Sequence, residues 1–424
     1  MTLALLLLAA FTVCFSLVAK RLETTILTAP MLFLGAGYAI SQLGVVPEAQ
    51  AESVLHLVAE VALILLLFLD AAQTNLNALR RDHAWPVRML SVGLPAAVIL
   101  GALMLWPLLP GWPLVAVALL AAILAPTDAA LGQAVIANPV VPERARRTIT
   151  VESGLNDGLA LPAILFLASL VARTTEGAET DWLLFAASQL VLGPLVGGVA
   201  GLIGGKMFLA AKDRGLSIDT YEGIGAIGLA GGIYLAATAV DGNGFIAAFM
   251  AGLCFGNAVR GRCKFVYEFT ENEGRMLSWG AFFLIGLSLL PDALAHLTPE
   301  TGAIIFLSLF VIRPVSIWIS LLGTKTSPTT RLFFGWFGPR GLATALFTLL
   351  VVRDISPDYG AHILAIAINM VWISAVLHGI SATPGARWYA ARLRRQEAGA
   401  DETMTEPVGT SAKPLLSRDY RRRN

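Results

Sequence analysis

The sequence predicts an all-α membrane protein with about 13 transmembrane helices, two of them interrupted. Of its 424 residues, 56% are hydrophobic and only 14% are charged, and the mean hydropathy is +0.71. Soluble domains have a much more polar composition. Apolar runs recur from Leu3 almost to Thr383, without a polar stretch long enough for a soluble domain. We therefore expect one membrane domain, residues 1–386, and a disordered cytoplasmic tail, residues 387–424.

The charge balance and the cysteines argue against several other classes of protein. Thirty basic and 29 acidic residues give a net charge of +1, so no nucleic-acid surface is expected. The cysteines have neither paired spacing nor a nearby histidine cluster, which disfavours a disulfide framework and a zinc site. No soluble cofactor-binding motif is present, and no cofactor is expected. The five histidines are scattered, mostly near predicted helix ends, where an interfacial position is the simpler interpretation.

The apolar runs divide into spans of about 20 residues, the length that crosses a bilayer. Residues 2–19 are followed by Lys20 and Arg21 and not by a small-residue cleavage site, so they predict a first transmembrane helix and not a secretory signal. The later spans centre near Phe33, Leu63, Val98, Leu119, Ala160, Gly197, Gly228, Phe249, Phe283, Leu309, Ala345 and Ile368.

Basic residues alternate between the loops, as cytoplasmic and external loops do in membrane proteins. Loops after even-numbered spans carry few basic residues or none. The pattern places the N-terminus outside and the C-terminus in the cytoplasm. The compact chain without a targeting segment makes a bacterial inner membrane the expected location. Loops after odd-numbered spans contain Lys20 and Arg21; Arg80, Arg81 and Arg88; Arg144, Arg146 and Arg147; Lys212 and Arg214; Arg260, Arg262 and Lys264; and Lys325 and Arg331.

Span five places Pro126, Thr127 and Asp128 in the middle of an apolar helix. Proline removes a backbone hydrogen bond, and an unwound backbone at membrane depth is tolerated where it lines a cavity or is buried in protein. Its freed carbonyls can then coordinate a cation. A proline kink with a hydrogen-bonded aspartate is the competing interpretation.

Span six opens with two acids and two neutral polar side chains within two helical turns. At about 100° per residue, Ser153, Asn156 and Asp157 share one face, whereas Glu152 points about 140° away from Asp157. With Asp128, these residues offer the oxygen ligands that hard cations prefer. A polar helix N-terminus is the competing interpretation, and it suits Glu152 better than Asp157.

Span twelve is the second interrupted span, with Arg340 between Pro339 and Gly341. Arginine stays charged and needs an acid in the membrane, and we expect Glu152 as its partner. A direct contact between Arg340 and a substrate anion is the alternative. Arg313 in span eleven is a further buried charge, for which the sequence names no partner. Two interrupted spans in corresponding positions indicate inverted repeats, formed by spans four to six and eleven to thirteen.

Three motifs together resemble the cation:proton antiporter-1 family, the NhaP/NHE type of sodium/proton exchangers, over the whole membrane part of the chain. Ala125-Pro-Thr-Asp-Ala129 is similar to the family's Thr-Asp motif in an unwound fifth helix. Glu152-Ser-Gly-Leu-Asn-Asp-Gly158 resembles its Glu-Ser-x-x-Asn-Asp signature, and Gly338-Pro-Arg-Gly341 its Gly-x-Arg-Gly segment. Any one motif alone would be weak, whereas their shared order and spacing are specific.

The resemblance implies an NhaA/NhaP-like antiporter fold in which Asp157 carries the cation and the proton. Thr127, Asp128, Ser153 and Asn156 would complete the site, and Glu152 would pair with Arg340. The Asn-Asp pair resembles the electroneutral branch, one cation for one proton. Some members of the family have an acidic residue near the ion path at the end of span three, and Asp70 resembles a variant of it. Asp70 either replaces that acid or faces only the cytoplasmic funnel that leads to the site. A homodimer is also implied, with a transport core of residues 89–172 and 299–383 and a dimerisation part of residues 1–88 and 182–292.

The expected mechanism is antiport, because a buried Asp157 can hold a proton or a monovalent cation but not both. Competition then couples the two flows, and rocking of one helix bundle alternates access. The cation is expected to be Na⁺. A K⁺/H⁺ antiporter and a sodium-coupled organic-solute symporter remain alternatives. An intramembrane aspartyl protease would also need two mid-membrane aspartates, but the chain lacks the Gly-x-Gly-Asp pattern of that class.

Overall fold

A computed structural model describes residues 2–22, 25–44, 48–74, 76, 84–176, 182–259, 262 and 264–395. These residues form helices joined by turns, with no strand among them, and the predicted all-α class is confirmed. The basic residues Arg80, Arg81 and Arg260 and tail residues 396–424 lie outside the described residues. Within that described part, seven helices are long and apolar enough to cross a membrane, and four more are shorter and apolar. The count of 13 spans stays a prediction.

Aromatic side chains of the N-terminal helices pack against one another and against the rest of the molecule. They are α1 (Thr2–Leu22), α2 (Ala29–Ser41) and α3 (Glu48–Gln73). Phe11 of α1 lies edge-on to Phe33 of α2, with ring centroids 4.9 Å apart, and Phe15 contacts Trp279 at 5.1 Å. Helix α1 is otherwise largely exposed, as expected for a helix that faces lipid along most of its length.

The next group of helices contains the first interrupted helix. Its members are α4 (Ala84–Arg88), which continues through a π turn (Met89–Gly93) into α5 (Leu94–Leu105), and then α6 (Leu114–Leu124), α7 (Ala129–Ile136) and α8 (Glu143–Glu176). Helix α6 stops before Pro126, and residues 125–128 are non-helical. The predicted interruption of span five is therefore confirmed, because proline cannot donate the hydrogen bond that would continue α6.

The third group packs by close approach of helix backbones. It comprises α9 (Trp182–Asp213), α10 (Asp219–Thr238), α11 (Gly244–Val259) and α12 (Lys264–Ser288). Glycines lie where these helices meet: a Cβ at Gly252 would collide with Phe68 O of α3, one at Gly197 with Ala247 O, and one at Gly286 with Leu34 O of α2. We call α2, α3, α9, α11 and α12 the glycine scaffold.

The last group repeats the order of the second. It comprises α13 (Leu290–Ala295), α14 (Pro299–Leu307), which leads through a π turn (Ser308–Ile312) into α15 (Arg313–Ser320), then α16 (Pro328–Trp336), α17 (Leu342–Val351) and α18 (Pro357–Arg395). Residues 337–341 between α16 and α17 are non-helical, so the second predicted interruption is also confirmed. The second group and the last group thus each contain a helix with a π turn, an interrupted helix and a long helix, in that order.

Helix α18 extends beyond the membrane part expected from the sequence. The predicted start of the disordered tail, residue 387, falls inside this helix, which ends at Arg395. Tyr389 is buried, stacks on Phe333 with ring centroids 3.9 Å apart and forms a 3.0 Å hydrogen bond with Thr330. This end of α18 is ordered because it packs on the base of α16, a contact that its basic composition does not indicate.

Candidate functional site

The two interrupted helices meet at their breaks. The amide of Asp128, in the break at residues 125–128, donates a 2.8 Å hydrogen bond to Pro339 O in the break at residues 337–341. The Asp128 carboxylate in turn accepts a 2.8 Å hydrogen bond from the amide of Leu342, the first residue of α17. We call the two breaks and the four half-helices around them the crossing. The sequence predicted one break in span five and one in span twelve, and the structure brings the two breaks together.

Asp128 stabilises the N-terminal ends of two half-helices. Its Oδ2 accepts from Leu342 N of α17, and its Oδ1 lies 3.4 Å from Leu131 N of α7. Amides in the first turn of a helix lack intrahelical partners, and the helix dipole there favours a negative charge. Gly341 permits the approach, because a Cβ at this position would collide with the Asp128 carboxylate. Asp128 is therefore a helix cap in this conformation.

Arg340 has the complementary role at the C-terminal ends. Its Nε donates a 2.7 Å hydrogen bond to Leu124 O, the last residue of α6, and its Nη1 donates a 2.5 Å bond to Gly338 O just beyond α16. The side chain is almost fully buried. Carbonyls in the last turn of a helix lack partners and favour a positive charge. A single guanidinium thus serves two half-helix ends.

The predicted ion pair between Glu152 and Arg340 is wrong, because Glu152 pairs with Arg313 of α15. Arg313 Nη1 lies 3.0 Å from Glu152 Oε1, Nη2 lies 3.3 Å from Oε2, and both side chains are buried. A Cβ at Gly338 would collide with the Arg313 guanidinium, so glycine leaves the room through which this arginine passes. Arg340 is held by backbone carbonyls instead. The sequence named both arginines as buried charges, but it held no information on which one faces Glu152.

Thr127 connects the first break to helix α8. Its hydroxyl donates to Glu152 Oε2 at 3.1 Å, accepts from Asn156 Nδ2 at 2.5 Å and lies 3.1 Å from Ser153 Oγ. A hydroxyl has a single proton to donate. Because that proton goes to the carboxylate, Ser153 is the donor in the contact between the two hydroxyls. This network brings together four of the residues that the two motifs supplied.

The same network leaves oxygen acceptors available beside Asp157. With its amide nitrogen turned toward Thr127, Asn156 presents Oδ1, which is buried and has no hydrogen-bond partner among the described residues. Oδ1 of the buried Asp157 likewise has none. Ser153 Oγ, as a donor to Thr127, retains its lone pairs. Carboxylate, amide and hydroxyl oxygens are the ligands that hard cations prefer.

Several carboxyl groups lie close enough to Asp157 to act on it electrostatically, namely those of Asp70, Asp128 and Glu152. Asp70 is near the end of α3, where Gly154 of α8 would place a Cβ 3.3 Å from Asp70 O. The close approach of α3 and α8 thus places Asp70 beside the predicted cation site. In the described part of the chain, no cluster of three or more histidine, cysteine, aspartate or glutamate side chains could hold a metal ion. A bound cation would need mixed oxygen ligands.

Two residues near the crossing were not identified from the sequence. A Cβ at Gly158 would collide with the ring of Phe249 from α11, so this ring packs against α8 at the residue that follows Asp157. Thr344, in the first turn of α17, has a buried hydroxyl without a hydrogen-bond partner in the described part of the molecule. Gly158, directly after Asp157, is the sequence signal that could have indicated a bulky neighbour such as Phe249. For Thr344 the signal is a hydroxyl within one turn of the second break.

Comparisons with known proteins identify the family of the chain. The model of a family described as "Sodium/hydrogen exchanger, transmembrane" matches residues 6–388. The chain is 29% identical to the K(+)/H(+) antiporter NhaP of Alkalimonas amylolytica over 366 residues, 83% of this chain and 60% of that protein. It is 29% identical to the K(+)/H(+) antiporter NhaP2 of Shewanella sp. (strain ANA-3), over 90% of this chain and 65% of that protein. The chain therefore spans less than two thirds of these curated relatives.

A solved structure supports the fold. The sodium proton antiporter MjNhaP1 from Methanocaldococcus jannaschii superposes with a TM-score of 0.76 at 21% sequence identity. The match covers 92% of this chain and 99% of that structure. At this identity the likeness concerns the fold, and it confirms the predicted antiporter architecture.

Proposed function

Because the chain belongs to the transmembrane sodium/hydrogen exchanger family, we propose that it exchanges a monovalent cation for a proton by secondary antiport. One observation carries the proposal: the buried carboxyl group of Asp157 has an unpartnered Oδ1 among the described residues and lies next to the crossing. An ionisable group at membrane depth is costly and marks an ion or proton path. The family also disfavours the protease alternative, since its members are transporters and not enzymes.

The ion site comprises Asp157, Ser153 and Asn156, with Thr127 orienting the last two. The hydrogen bonds of Thr127 direct Ser153 Oγ and Asn156 Oδ1 to act as acceptors. Asp128 belongs to the predicted ligand set, and it contributes as the cap that holds the two breaks together and as a negative charge near the ion. Asp70 adds a further carboxyl group beside the path. Negative charges around a polar site favour a cation over an anion.

Competition at Asp157 couples the two flows. The carboxyl group cannot bind a proton and a cation at the same time, so each ion displaces the other, and the exchange of one for one is electroneutral. Access then alternates as residues 89–172 and 299–383 rock against residues 1–88 and 182–292 of a homodimer in a bacterial inner membrane. The N-terminus lies outside and the C-terminus in the cytoplasm. The repeated order of helices in the two groups supports this division.

Na⁺ and K⁺ are both candidate substrates. The curated relatives are named as K⁺/H⁺ antiporters and the solved relative as a sodium proton antiporter. Hard oxygen ligands accept either ion. Titrating each ion separately in inverted membrane vesicles, and then both together, measures the preference. A single competitive site for the two ions is the expected result.

The central experiment replaces Asp157 by asparagine and follows cation-dependent proton movement in inverted vesicles. Asn cannot carry a proton or a charge, so exchange should disappear while the protein still reaches the membrane. Asp292→Asn is the matched control, because Asp292 is an exposed aspartate on α13 outside the site. Full exchange by the Asp157→Asn variant would refute the proposed site. An exchange rate that depends on an imposed membrane potential would refute the one-for-one stoichiometry.

A further inference from the structure

His378 lies in the interior, although the sequence suggested an interfacial position for the histidines. It is located on α18, is only 2% exposed, and stacks on the Trp336 ring with centroids 5.0 Å apart. The same helix carries a second histidine, His362, which is exposed and contacts the ring of Trp112. A buried imidazole has two nitrogens that need hydrogen-bond partners. Their partners identify what His378 holds in place.

The partners of His378 belong to the second break. Nε2 lies 2.9 Å from Trp336 O, the last carbonyl of α16, which also accepts a 2.8 Å bond from Gly338 N. Nδ1 lies 3.2 Å from Ser374 Oγ and 2.8 Å from Ser374 O. Ser374 Oγ also accepts a 2.7 Å hydrogen bond from Arg340 N. His378 and Ser374 therefore contact the break at its beginning and next to its end.

The partners of the two nitrogens differ in what they can donate. A carbonyl oxygen can only accept, so the contact with Trp336 O is a hydrogen bond only when Nε2 carries the proton, and the contact with Ser374 O only when Nδ1 does. We assign the proton of the neutral ring to Nε2, because Nδ1 also faces the Ser374 hydroxyl, which can donate to it, whereas Nε2 faces only a carbonyl. The Ser374 hydroxyl can then donate to Nδ1 while it accepts from Arg340 N. A chain of hydrogen bonds thus runs from Arg340 N through Ser374 and His378 to Trp336 O. It replaces bonds that the backbone lost where α16 ended.

We propose that His378 is a positioning residue for cation exchange, which rests on the function proposed above. By fixing Trp336 O and, through Ser374, Arg340 N, it sets the course of residues 337–341. That course determines where the Arg340 guanidinium meets Leu124 O and where Leu342 N meets Asp128. His378 does not touch the ion. It acts through the break, and its loss should loosen the site without removing a ligand.

The first test compares three variants in reconstituted liposomes. Gln places an amide N–H near the position of Nε2, Asn places one near Nδ1, and Phe keeps the ring but has no donor. His378→Gln should keep the apparent cation affinity of the wild type, whereas His378→Asn and His378→Phe should weaken it by about two- to tenfold, the range for one hydrogen bond. The maximal rate should stay unchanged, and the control His362→Phe should have no effect.

Wild-type affinity in the Asn and Phe variants would overturn the proposal. It would also be overturned if Gln were as impaired as Phe, because the donor would then be irrelevant. If the wild-type protein moved no protons in response to Na⁺ or K⁺, the proposed function would fail, and the positioning role would be decided by the next measurement.

The second test needs no transport. Amide hydrogen exchange of the purified protein reports local opening of the backbone. Exchange at Gly338 and Arg340 should be about two- to tenfold faster in His378→Phe and His378→Asn than in the wild type and in His378→Gln. Unchanged exchange in the Phe variant would show that His378 does not hold the break.

Discussion

The crossing and the glycine scaffold are held together in opposite ways. At the crossing, charged side chains replace backbone hydrogen bonds that two broken helices have lost: Asp128 caps N-terminal ends and Arg340 caps C-terminal ends. In the scaffold, unbroken helices approach so closely that a Cβ at Gly252 or Gly197 would collide with a carbonyl of the neighbouring helix. Beside the scaffold, the buried Glu222 of α10 pairs with Lys212 of α9 at 2.9 Å, near the ends of the two helices.

This difference indicates which region can change shape. Close backbone packing has few alternative arrangements, because a shift of one helix along the other creates collisions. Hydrogen bonds from long side chains to helix ends can be exchanged for others at a moderate cost. The crossing therefore suits the proposed ion site, which must bind and release ions, and the scaffold suits a fixed support. Three substitutions and a double-mutant cycle test this contrast, and a fourth substitution, on α10, lies outside both regions.

The largest effect is expected for Arg313→Ala, on α15 beside the crossing. The change leaves Glu152 buried without its partner, and breaking a buried ion pair costs about 3–5 kcal/mol. Most of the protein should fail to fold, measured as the yield of monodisperse protein in detergent and as the unfolding temperature of what remains.

A double-mutant cycle distinguishes the observed pair from the one expected from the sequence. Glu152→Gln with Arg313→Gln should destabilise much less than the sum of the single changes. Glu152→Gln with Arg340→Gln should be closer to additive, because Arg340 bonds to carbonyls. Strong coupling only in the second cycle would contradict the assignment of Arg313 as partner.

The next effect is expected in the scaffold, for Gly252→Ala. The new methyl group would collide with Phe68 O, and overpacking costs about 1–3 kcal/mol. The unfolding temperature should fall, whereas the folded fraction should exchange ions with unchanged apparent affinity. A loss of affinity without a loss of stability would show that this helix contact belongs to the moving part.

A smaller effect, on ion affinity, is expected for Thr127→Val. Valine keeps the shape but removes the hydroxyl that orients Ser153 and Asn156. A net hydrogen bond contributes about 0.5–1.5 kcal/mol, so the apparent cation affinity should fall about two- to tenfold. Thr127→Ser retains the hydroxyl and serves as the control. Equal affinities for the two variants would exclude the orienting role.

The smallest effect, and one of opposite sign, is expected for Gly228→Ala on α10. Nothing lies within 4 Å of a Cβ at this position, and alanine in a helix is favoured over glycine by about 0.5–1 kcal/mol. The unfolding temperature should rise slightly and exchange should be unchanged. Destabilisation here would indicate a contact that one chain does not show, such as an interface with a second copy.

The elements of the site were predictable where the signal is local. Pro126 interrupts its own helix, and Gly338 and Gly341 mark the second break, so both interruptions could be located from a few residues. The spacing of Ser153, Asn156 and Asp157 places them on one helical face at any helix orientation. His378 and Thr344 were missed because histidine and threonine are common at helix ends, and only their surroundings distinguish them.

The sequence by itself determined the helical membrane class and the two breaks, and it supplied the residues of the proposed ion site, since each depends on neighbours along the chain. The tertiary structure alone decided which charges meet: Arg313 faces Glu152, while Arg340 spans the ends of two half-helices. Such pairings join residues from distant spans, and they depend on how the helices are rotated and placed against one another. Hydropathy and motif spacing carry no information on that rotation, so the partner of a buried charge emerges only when the helices pack.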